Sequence, residues 1–189
     1  MQIWAGLGNP GPLHAMQRHN VGFMAVDAIA ATHGFAAPRK QFSGWLQEGR
    51  LGGARVMLLK PATFMNESGR SVGEALRFYK LGPEALTVFH DELDLAPFKV
   101  KVKVGGGTAG HNGLRSTDQH LGPEFRRVRL GVGHPGHKDR VTGHVLGNFA
   151  KSELDALTDM LGAVAAEARW LANGDEARFM NEVALRLQL

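Results

Sequence analysis

Short apolar runs alternate with longer amphipathic stretches along almost the whole chain. A strand is predicted over 2–6 and a helix over 21–33, and the same order returns several times towards the C-terminus. Such an order is typical of one sheet whose strands are joined by helices that cover it. We therefore expect an α/β fold: a single domain over residues 1–189, in three layers, with a mixed, mostly parallel twisted sheet between helices on both faces.

The other elements are predicted from the same two periodicities. Strands are expected over 46–50, 55–59, 86–90, 100–104 and 127–132, the first two joined by a hairpin at Gly52-Gly53. Helices are expected over 68–79, 112–121, 152–171 and 175–187. Ligands of such sheets bind beyond the carboxyl ends of the strands, so the loops that follow the strands are where a site is expected.

Composition excludes several kinds of chemistry. The chain has no cysteine, which rules out disulfides, zinc–thiolate sites, iron–sulfur clusters and cysteine nucleophiles. Its net charge of +4 suits a polyanionic partner, although this signal alone is weak. No apolar run reaches the roughly 18 residues of a membrane span, and no basic stretch leads into an apolar N-terminal region. We therefore expect a cytoplasmic protein without membrane contact.

Polar side chains follow several predicted strands. Asn9 and His19 come after the first strand, Asn66 after the hairpin, Asp91 after the next strand and Asn112 after a glycine-rich segment. A histidine oriented by a carboxylate is a common general-base pair, which makes His19 and Asp91 candidates. The alternative is a purely local role, with His19 at a helix start and Asp91 in a turn.

Two glycine-rich segments and the nine histidines suggest other functions. Residues 6–11 formally match the dinucleotide fingerprint, but Pro10 and Pro12 interrupt the helix start that this motif needs. A nucleotide-dependent oxidoreductase therefore stays only as an alternative. Residues 105–110 lack the lysine and hydroxyl of a phosphate-binding loop of NTPases. His134 and His137 lie in a turn without metal-site spacing, so no metal is expected.

Two predicted strands carry basic residues on one face. Lys101 and Lys103 are two residues apart on one strand, and Arg127 and Arg129 are two residues apart on the other. Residues two apart on a strand point to the same face. If the two strands meet, they form a patch that could bind phosphate. The alternative is an edge strand whose lysines prevent aggregation.

The motifs taken together resemble the bacterial-type peptidyl-tRNA hydrolase family over nearly the whole chain. The resemblance rests on residues 6–11 (GLGNPG), 18–20 (RHN), 63–69 (TFMNESG), 90–95 (HDELDL), 110–114 (GHNGL) and 131–135 (GVGHP). It implies a monomeric esterase that needs no metal or cofactor. Its substrate would be peptidyl-tRNA, cleaved at the ester between the peptide and the 3′-terminal ribose so that tRNA is recycled from stalled translation.

The resemblance also implies residue roles. His19 is the base that activates water, Asp91 stabilises its working form, and Asn9 distinguishes N-blocked from free aminoacyl-tRNA. The acceptor end and peptide would be held by His14, Phe64, Met65, Asn66, His111 and Asn112. The tRNA 5′-phosphate would be clamped by Lys103 and Arg129, with Lys101 nearby.

Three departures from the family pattern are evident. His14 stands where many relatives carry tyrosine, Ala109 replaces a common glycine, and residues 96–98 (APF) replace a more usual proline-containing turn. None of them removes a proposed catalytic group. A non-catalytic RNA-binding relative of the same fold is the alternative function, and loss of His19 or Asp91 would have favoured it.

Overall fold

The computed structural model describes residues 1–188, so Leu189, the last residue of the predicted domain, lies outside the described part. The strands are β1 (Gln2–Gly6), β2 (Arg39–Gln41), β3 (Gly44–Leu51), β4 (Ala54–Pro61), β5 (Leu86–Glu92), β6 (Val100–Val104) and β7 (Arg126–Gly131). The α-helices are α1 (Val21–His33), α2 (Ser68–Tyr79), α3 (Asn112–Leu121), α4 (Val141–Val145), α5 (Leu154–Ala172) and α6 (Glu176–Arg186).

All seven strands of the described chain form one sheet, in the order β2-β3-β4-β1-β5-β7-β6. The four central strands, β4, β1, β5 and β7, run parallel to one another. The outer strands β2, β3 and β6 pair in the antiparallel sense. The expected mixed sheet is confirmed, and its parallel part is the centre, where both faces are covered as parallel strands require.

Helices cover both faces of the sheet and give the three predicted layers. One core joins α1, α5 and α6 to the sheet and contains the fully buried side chains of Trp4, Ile29 and Phe179. The other core joins α2 and α3 to the opposite face and contains Ile3 and Leu76. Ile3 and Trp4 are neighbours on β1 that belong to opposite cores, as the period of two in a strand demands.

Several predicted elements have the observed bounds, including the helices over 21–33, 68–79 and 112–121. The hairpin is confirmed, and both Gly52 and Gly53 have the positive φ that a tight two-residue turn needs. The short elements β2 and α4 were not predicted. The sequence Arg-Lys-Gln of β2 has no apolar alternation, and it becomes a strand through pairing with β3.

The parallel arrangement brings four strand ends to one edge of the sheet. The loops after β1, β4, β5 and β7 all begin there, as parallel pairing requires. β6 is antiparallel to β7, so the loop that follows it starts at the opposite edge, where Gly105 N donates to Phe125 O. This loop then returns across the sheet to reach the first edge at His111.

The start of α1 lies unusually close to the sheet. A Cβ atom at Gly22 would lie 2.7 Å from Leu7 N and would also collide with Phe89 O, so only glycine permits this approach. The approach fixes the turn Arg18–Asn20, which directly precedes α1, beside the end of β5. Within residues 1–188, no helix is long and apolar enough to cross a membrane.

Candidate active site

A cavity of about 680 Å³ opens at the edge where the four strand ends meet. Ten of the predicted site residues line it: Asn9, His19, Phe64, Met65, Asn66, Asp91, Lys103, His111, Asn112 and Arg129. His14 and Lys101 do not line it. His14 lies in the turn Pro12–His14 and pairs through Nδ1 with Gln17 Oε1 at 3.0 Å, and Lys101 is exposed on β6.

His19 and Asp91 are paired at the wall of the cavity, although 72 residues separate them in the chain. His19 Nδ1 lies 2.8 Å from Asp91 Oδ2, and an ionised carboxylate can only accept, so the ring proton is on Nδ1. Nε2 therefore carries the lone pair, and it has no hydrogen-bond partner among residues 1–188. This tautomer is the one that a general base needs.

His111 is the second imidazole on Asp91. Its Nδ1 accepts from the backbone N–H groups of Gly113 and Leu114 at 3.1 and 3.2 Å, which caps α3. Its proton is therefore on Nε2, which donates to Asp91 Oδ1 at 2.7 Å. His111 thus ties the returning glycine loop, the start of α3 and the end of β5 to one carboxylate.

The carboxyl group of Asp91 is held in its charged form. Burial alone would raise the pKa of Asp91, but the hydrogen bonds that His111 and His19 donate to the carboxylate more than offset it. The pKa of Asp91 therefore lies well below its usual range. A permanent negative charge at this point favours a positive charge on the His19 ring when it takes up a proton.

Asn9 is fixed by hydrogen bonds between side chains and the backbone. Asn20, which follows His19 in the chain, accepts from Asn9 N and donates to Asn9 O, both at 2.9 Å. Asn9 Oδ1 accepts from Met65 N at 2.8 Å. The Asn9 amide is thus oriented with Oδ1 towards Met65 N, and its Nδ2 group is left to donate. We name Asn9, His19, Asp91 and His111 the reaction centre.

Two imidazoles and a carboxylate are a donor set that could hold a metal ion, since ligand atoms of His19, Asp91 and His111 lie within 4.8 Å of one another. The hydrogen bonds argue against a metal in this arrangement. His19 Nδ1 and His111 Nε2, the nitrogens that face Asp91, both carry protons, so neither offers a lone pair to a metal ion beside this carboxylate. The sequence did not predict this cluster, because its members come from three segments that lie far apart in the chain: the turn before α1, the end of β5 and the start of α3.

His90 lies next to the reaction centre and is almost fully buried. Its Nδ1 donates to Asp91 O at 2.8 Å, and its ring stands edge-on to that of His111 at 5.3 Å. Burial, together with the neighbouring His111, lowers the pKa of His90 to about 4. His90 is therefore neutral at physiological pH and does not compete with His19 for a proton.

The other side of the cavity is basic. Strand pairing places Lys101 opposite Arg129 and Lys103 opposite Arg127, so all four lie on one face of the sheet, which we name the basic face. The predicted meeting of the two basic strands is therefore confirmed. Lys103 and Arg129 line the cavity, and Arg129 Nε donates to Glu92 Oε1 at 2.8 Å.

Arg127 has a structural position within the basic face. It is fully buried, and its terminal nitrogens donate to the carbonyls of Gly106, Gly107 and Pro123 at 2.5 to 3.1 Å. Its guanidinium also stacks on Phe125. Arg127 thus holds the glycine loop against the sheet, and Ala109 in that loop has a left-handed φ of 47°.

Sequence reasoning did not assign roles to Asn20, His90 or Glu92. Each lies directly beside a predicted residue, within the motifs at 18–20 and 90–95. Their position in these motifs was the available signal. Their partners could not be read from the chain, since Asn20 bonds across 11 residues and Glu92 across 37.

Comparison with known proteins agrees with this geometry. Residues 3–188 match the family described as peptidyl-tRNA hydrolase. The chain is 76% identical over 188 residues to a peptidyl-tRNA hydrolase of Novosphingobium aromaticivorans, covering 100% of this chain and 98% of the relative. It is 70% identical over 188 residues to that of Erythrobacter litoralis, covering 100% of both chains.

A solved structure of a peptidyl-tRNA hydrolase has the same fold as this chain. The crystal structure of peptidyl-tRNA hydrolase from Acinetobacter baumannii superposes with a TM-score of 0.91 at 40% identity, covering 97% of this chain and 94% of that one. The family match spans nearly the whole chain, including the reaction centre and the basic face. The chain therefore belongs to the peptidyl-tRNA hydrolase family.

Proposed function

We propose that this chain hydrolyses the ester bond that joins a peptide to the 3′-terminal ribose of tRNA, and so recycles tRNA from stalled translation. The observation that carries the proposal is the His19–Asp91 pair at the cavity wall, with Nε2 of His19 left as a free acceptor. Ester hydrolysis needs a base that takes a proton from the attacking water, and neutral imidazole does this near pH 7.

The first step follows from the protonation state of the pair. His19 Nε2 takes a proton from water as the water attacks the ester carbonyl, and the imidazolium that forms faces the ionised Asp91. Asp91 keeps the ring in one orientation and stabilises its positive charge. The second imidazole, His111, donates to the same carboxylate and holds it in place.

Amide side chains are proposed to stabilise the negative charge that develops on the ester carbonyl and to recognise the N-blocked amino acid. The oxyanion that develops on the carbonyl needs donors, and the side chains of Asn66 and Asn112 are exposed at the cavity wall. Asn9 offers a donor, because Met65 N holds its Oδ1 and leaves Nδ2 free. The carbonyl of an N-blocked amino acid accepts such a hydrogen bond, whereas the ammonium of a free aminoacyl-tRNA cannot.

The substrate would lie across the cavity from the reaction centre to the basic face. Phe64, whose side chain is exposed, and Met65 would contact the acceptor end and the peptide. Lys103 and Arg129 would contact the 5′-phosphate of tRNA. His14 and Lys101 stay predictions as substrate and phosphate contacts. We further propose a cytoplasmic monomer that acts without a metal.

A non-catalytic RNA-binding protein of the same fold is the second candidate function. The geometry of His19 and Asp91 favours the enzyme, because RNA binding alone does not need a base with a free lone pair. The candidates differ in one assay. We expect the purified protein to release N-acetylated amino acid from tRNA, equally with and without a chelator.

The matched control for this assay is His19→Asn, which should bind the same tRNA without releasing the amino acid. Binding without release by the unchanged protein would support the RNA-binding alternative. Release that the chelator abolishes and added divalent metal restores would contradict the proposed metal-independent mechanism.

A further inference from the structure

The ion pair between Glu92 and Arg129 joins the basic face to the reaction centre. Arg129 Nε donates to Glu92 Oε1 at 2.8 Å, and the side chains are only 21% and 12% exposed. Glu92 is the last residue of β5 and directly follows Asp91 in the chain. Two consecutive residues of one strand therefore hold the proposed base on one side and the proposed phosphate ligand on the other.

The pair leaves the functional end of Arg129 free. Only Nε is bonded to Glu92, and the two terminal nitrogens of Arg129 have no hydrogen-bond partner within residues 1–188. A guanidinium is planar, so fixing Nε fixes the direction in which both terminal nitrogens point. Two parallel N–H groups with a fixed direction match the oxygens of a phosphate.

Glu92 is charged in this environment. Burial would raise the pKa of Glu92, but the hydrogen bond from Arg129 and the positive charge of its guanidinium more than offset it, and the pKa lies below its usual value. A negative charge beside an anion site weakens anion binding if nothing else changes. The Glu92 carboxylate therefore either weakens phosphate binding by charge repulsion or strengthens it by orienting Arg129.

We propose that Glu92 is a positioning residue that orients the Arg129 guanidinium towards the 5′-terminal phosphate of tRNA. By its place next to Asp91, it also sets the distance between the phosphate site and the reaction centre. This inference rests on the proposed function, and in particular on Arg129 as the phosphate contact.

The two possible roles of Glu92, orienting Arg129 or repelling the phosphate, predict opposite changes in the Kd of tRNA when its charge is removed. The measurement is the Kd of deacylated tRNA with its 5′-phosphate and of the same tRNA after dephosphorylation, at one salt concentration. For Glu92→Gln we expect binding of the phosphorylated tRNA to weaken by roughly tenfold, because the charge-assisted hydrogen bond from Arg129 Nε becomes a weaker bond to an uncharged amide oxygen and holds the guanidinium less firmly. Binding of the dephosphorylated tRNA should change far less, and this also shows that the variant is folded.

The chain offers a matched control in Glu124, an exposed carboxylate between α3 and β7 whose side chain lies beside Gly105 of the glycine loop. Glu124 acts on Arg127 through its charge, as Glu92 does, but has no bond to Arg129. Glu124→Gln removes the same charge and should bind both tRNAs slightly more tightly. If Glu92→Gln tightens binding in the same way, Glu92 is only an opposing charge and the inference is overturned.

A double-variant cycle tests whether Glu92 acts through Arg129. In an Arg129→Ala background, Glu92→Gln should change the Kd of phosphorylated tRNA by less than about twofold. A full tenfold loss in that background would overturn the inference. If Arg129→Ala alone does not weaken binding of the phosphorylated tRNA, Arg129 is not the phosphate contact and the inference fails, while release of N-acetylated amino acid still tests the proposed hydrolysis separately.

Discussion

The reaction centre and the basic face border the same cavity but hold their side chains in different ways. In the reaction centre, hydrogen bonds occupy Asp91 and leave one free polar group on His19 and one on Asn9. On the basic face, Lys101 is exposed, Lys103 has no carboxylate partner in the described chain, and Arg129 is held through Nε alone. Ester cleavage depends on exact proton positions, whereas phosphate binding depends on positive charge and on the direction of one guanidinium.

The reaction centre should therefore be the more sensitive region. His19→Ala removes the only lone pair that we assign to the base, and we expect kcat to fall on the order of 10²- to 10⁴-fold. The KM for N-acetylaminoacyl-tRNA should change much less, because the basic face is intact. Turnover close to that of the unchanged protein would remove His19 from the mechanism.

On the basic face, even a double change should have a smaller effect. Lys103→Ala combined with Arg129→Ala should raise the KM for full tRNA substrate by roughly 10- to 100-fold and flatten its dependence on salt. A small ester substrate without the 5′-phosphate is the control, and its kinetics should hardly change. Equal losses on both substrates would mean that the pair supports the fold instead.

Asn9→Asp should change selectivity more than fold. The new carboxylate can still accept from Met65 N, but the free Nδ2 donor becomes an acceptor that attracts an ammonium group. We expect activity on N-acetylaminoacyl-tRNA to fall and the relative activity on free aminoacyl-tRNA to rise by roughly tenfold. If both activities fall together at a constant ratio, Asn9 only shapes the turn before Pro10.

The smallest effect on turnover at neutral pH is expected at His90, which instead affects stability in acid. Its pKa falls from 6.5 to about 4 on folding, so between these values the unfolded chain binds a proton that the folded chain does not. The free energy of unfolding should therefore decrease as the pH falls through this window, by up to about 3 kcal/mol. The contribution of Asp91 to the free energy of unfolding is lost at lower pH than this window, since its carboxylate is protonated only in stronger acid.

Urea unfolding between pH 4 and pH 7 tests this contribution. His90→Gln should show a weaker dependence of unfolding free energy on pH than the unchanged protein. His137→Gln, which changes a histidine whose side chain is 63% exposed, serves as the control and should keep the original slope. An identical slope for the two variants would contradict the assignment to His90.

The sequence predicted most of the fold because local pattern and tertiary packing agree. Helix α1 begins and ends where its periodicity does, and Gly34 closes it in a left-handed conformation. The edge strand β2 was missed because its residues are all polar and only β3 makes it a strand. Likewise, the antiparallel direction of β6 depends on its pairing with β7 and not on its own alternation of valine and lysine.

For the site, the residue types were predictable and the contacts were not. His19 and Asp91 were predicted as a pair, and the structure brings them to hydrogen-bond distance. His111 was predicted as a substrate contact, and its bond to Asp91 became visible only when the loop of 105–111 returned across the sheet. His14 was predicted beside them but lies outside the cavity lining, because the turn Pro12–His14 directs it towards Gln17.

The guanidinium of Arg127 has a consequence for motion in the glycine loop. Four of the six residues from 105 to 110 are glycine, a composition that usually gives a mobile segment. Arg127 holds two of its carbonyls, and the amides at its ends, Gly105 and His111, donate to Phe125 O and Thr108 O. These two amides should therefore exchange with deuterium as slowly as those of the sheet, so this wall of the cavity is already rigid before substrate arrives.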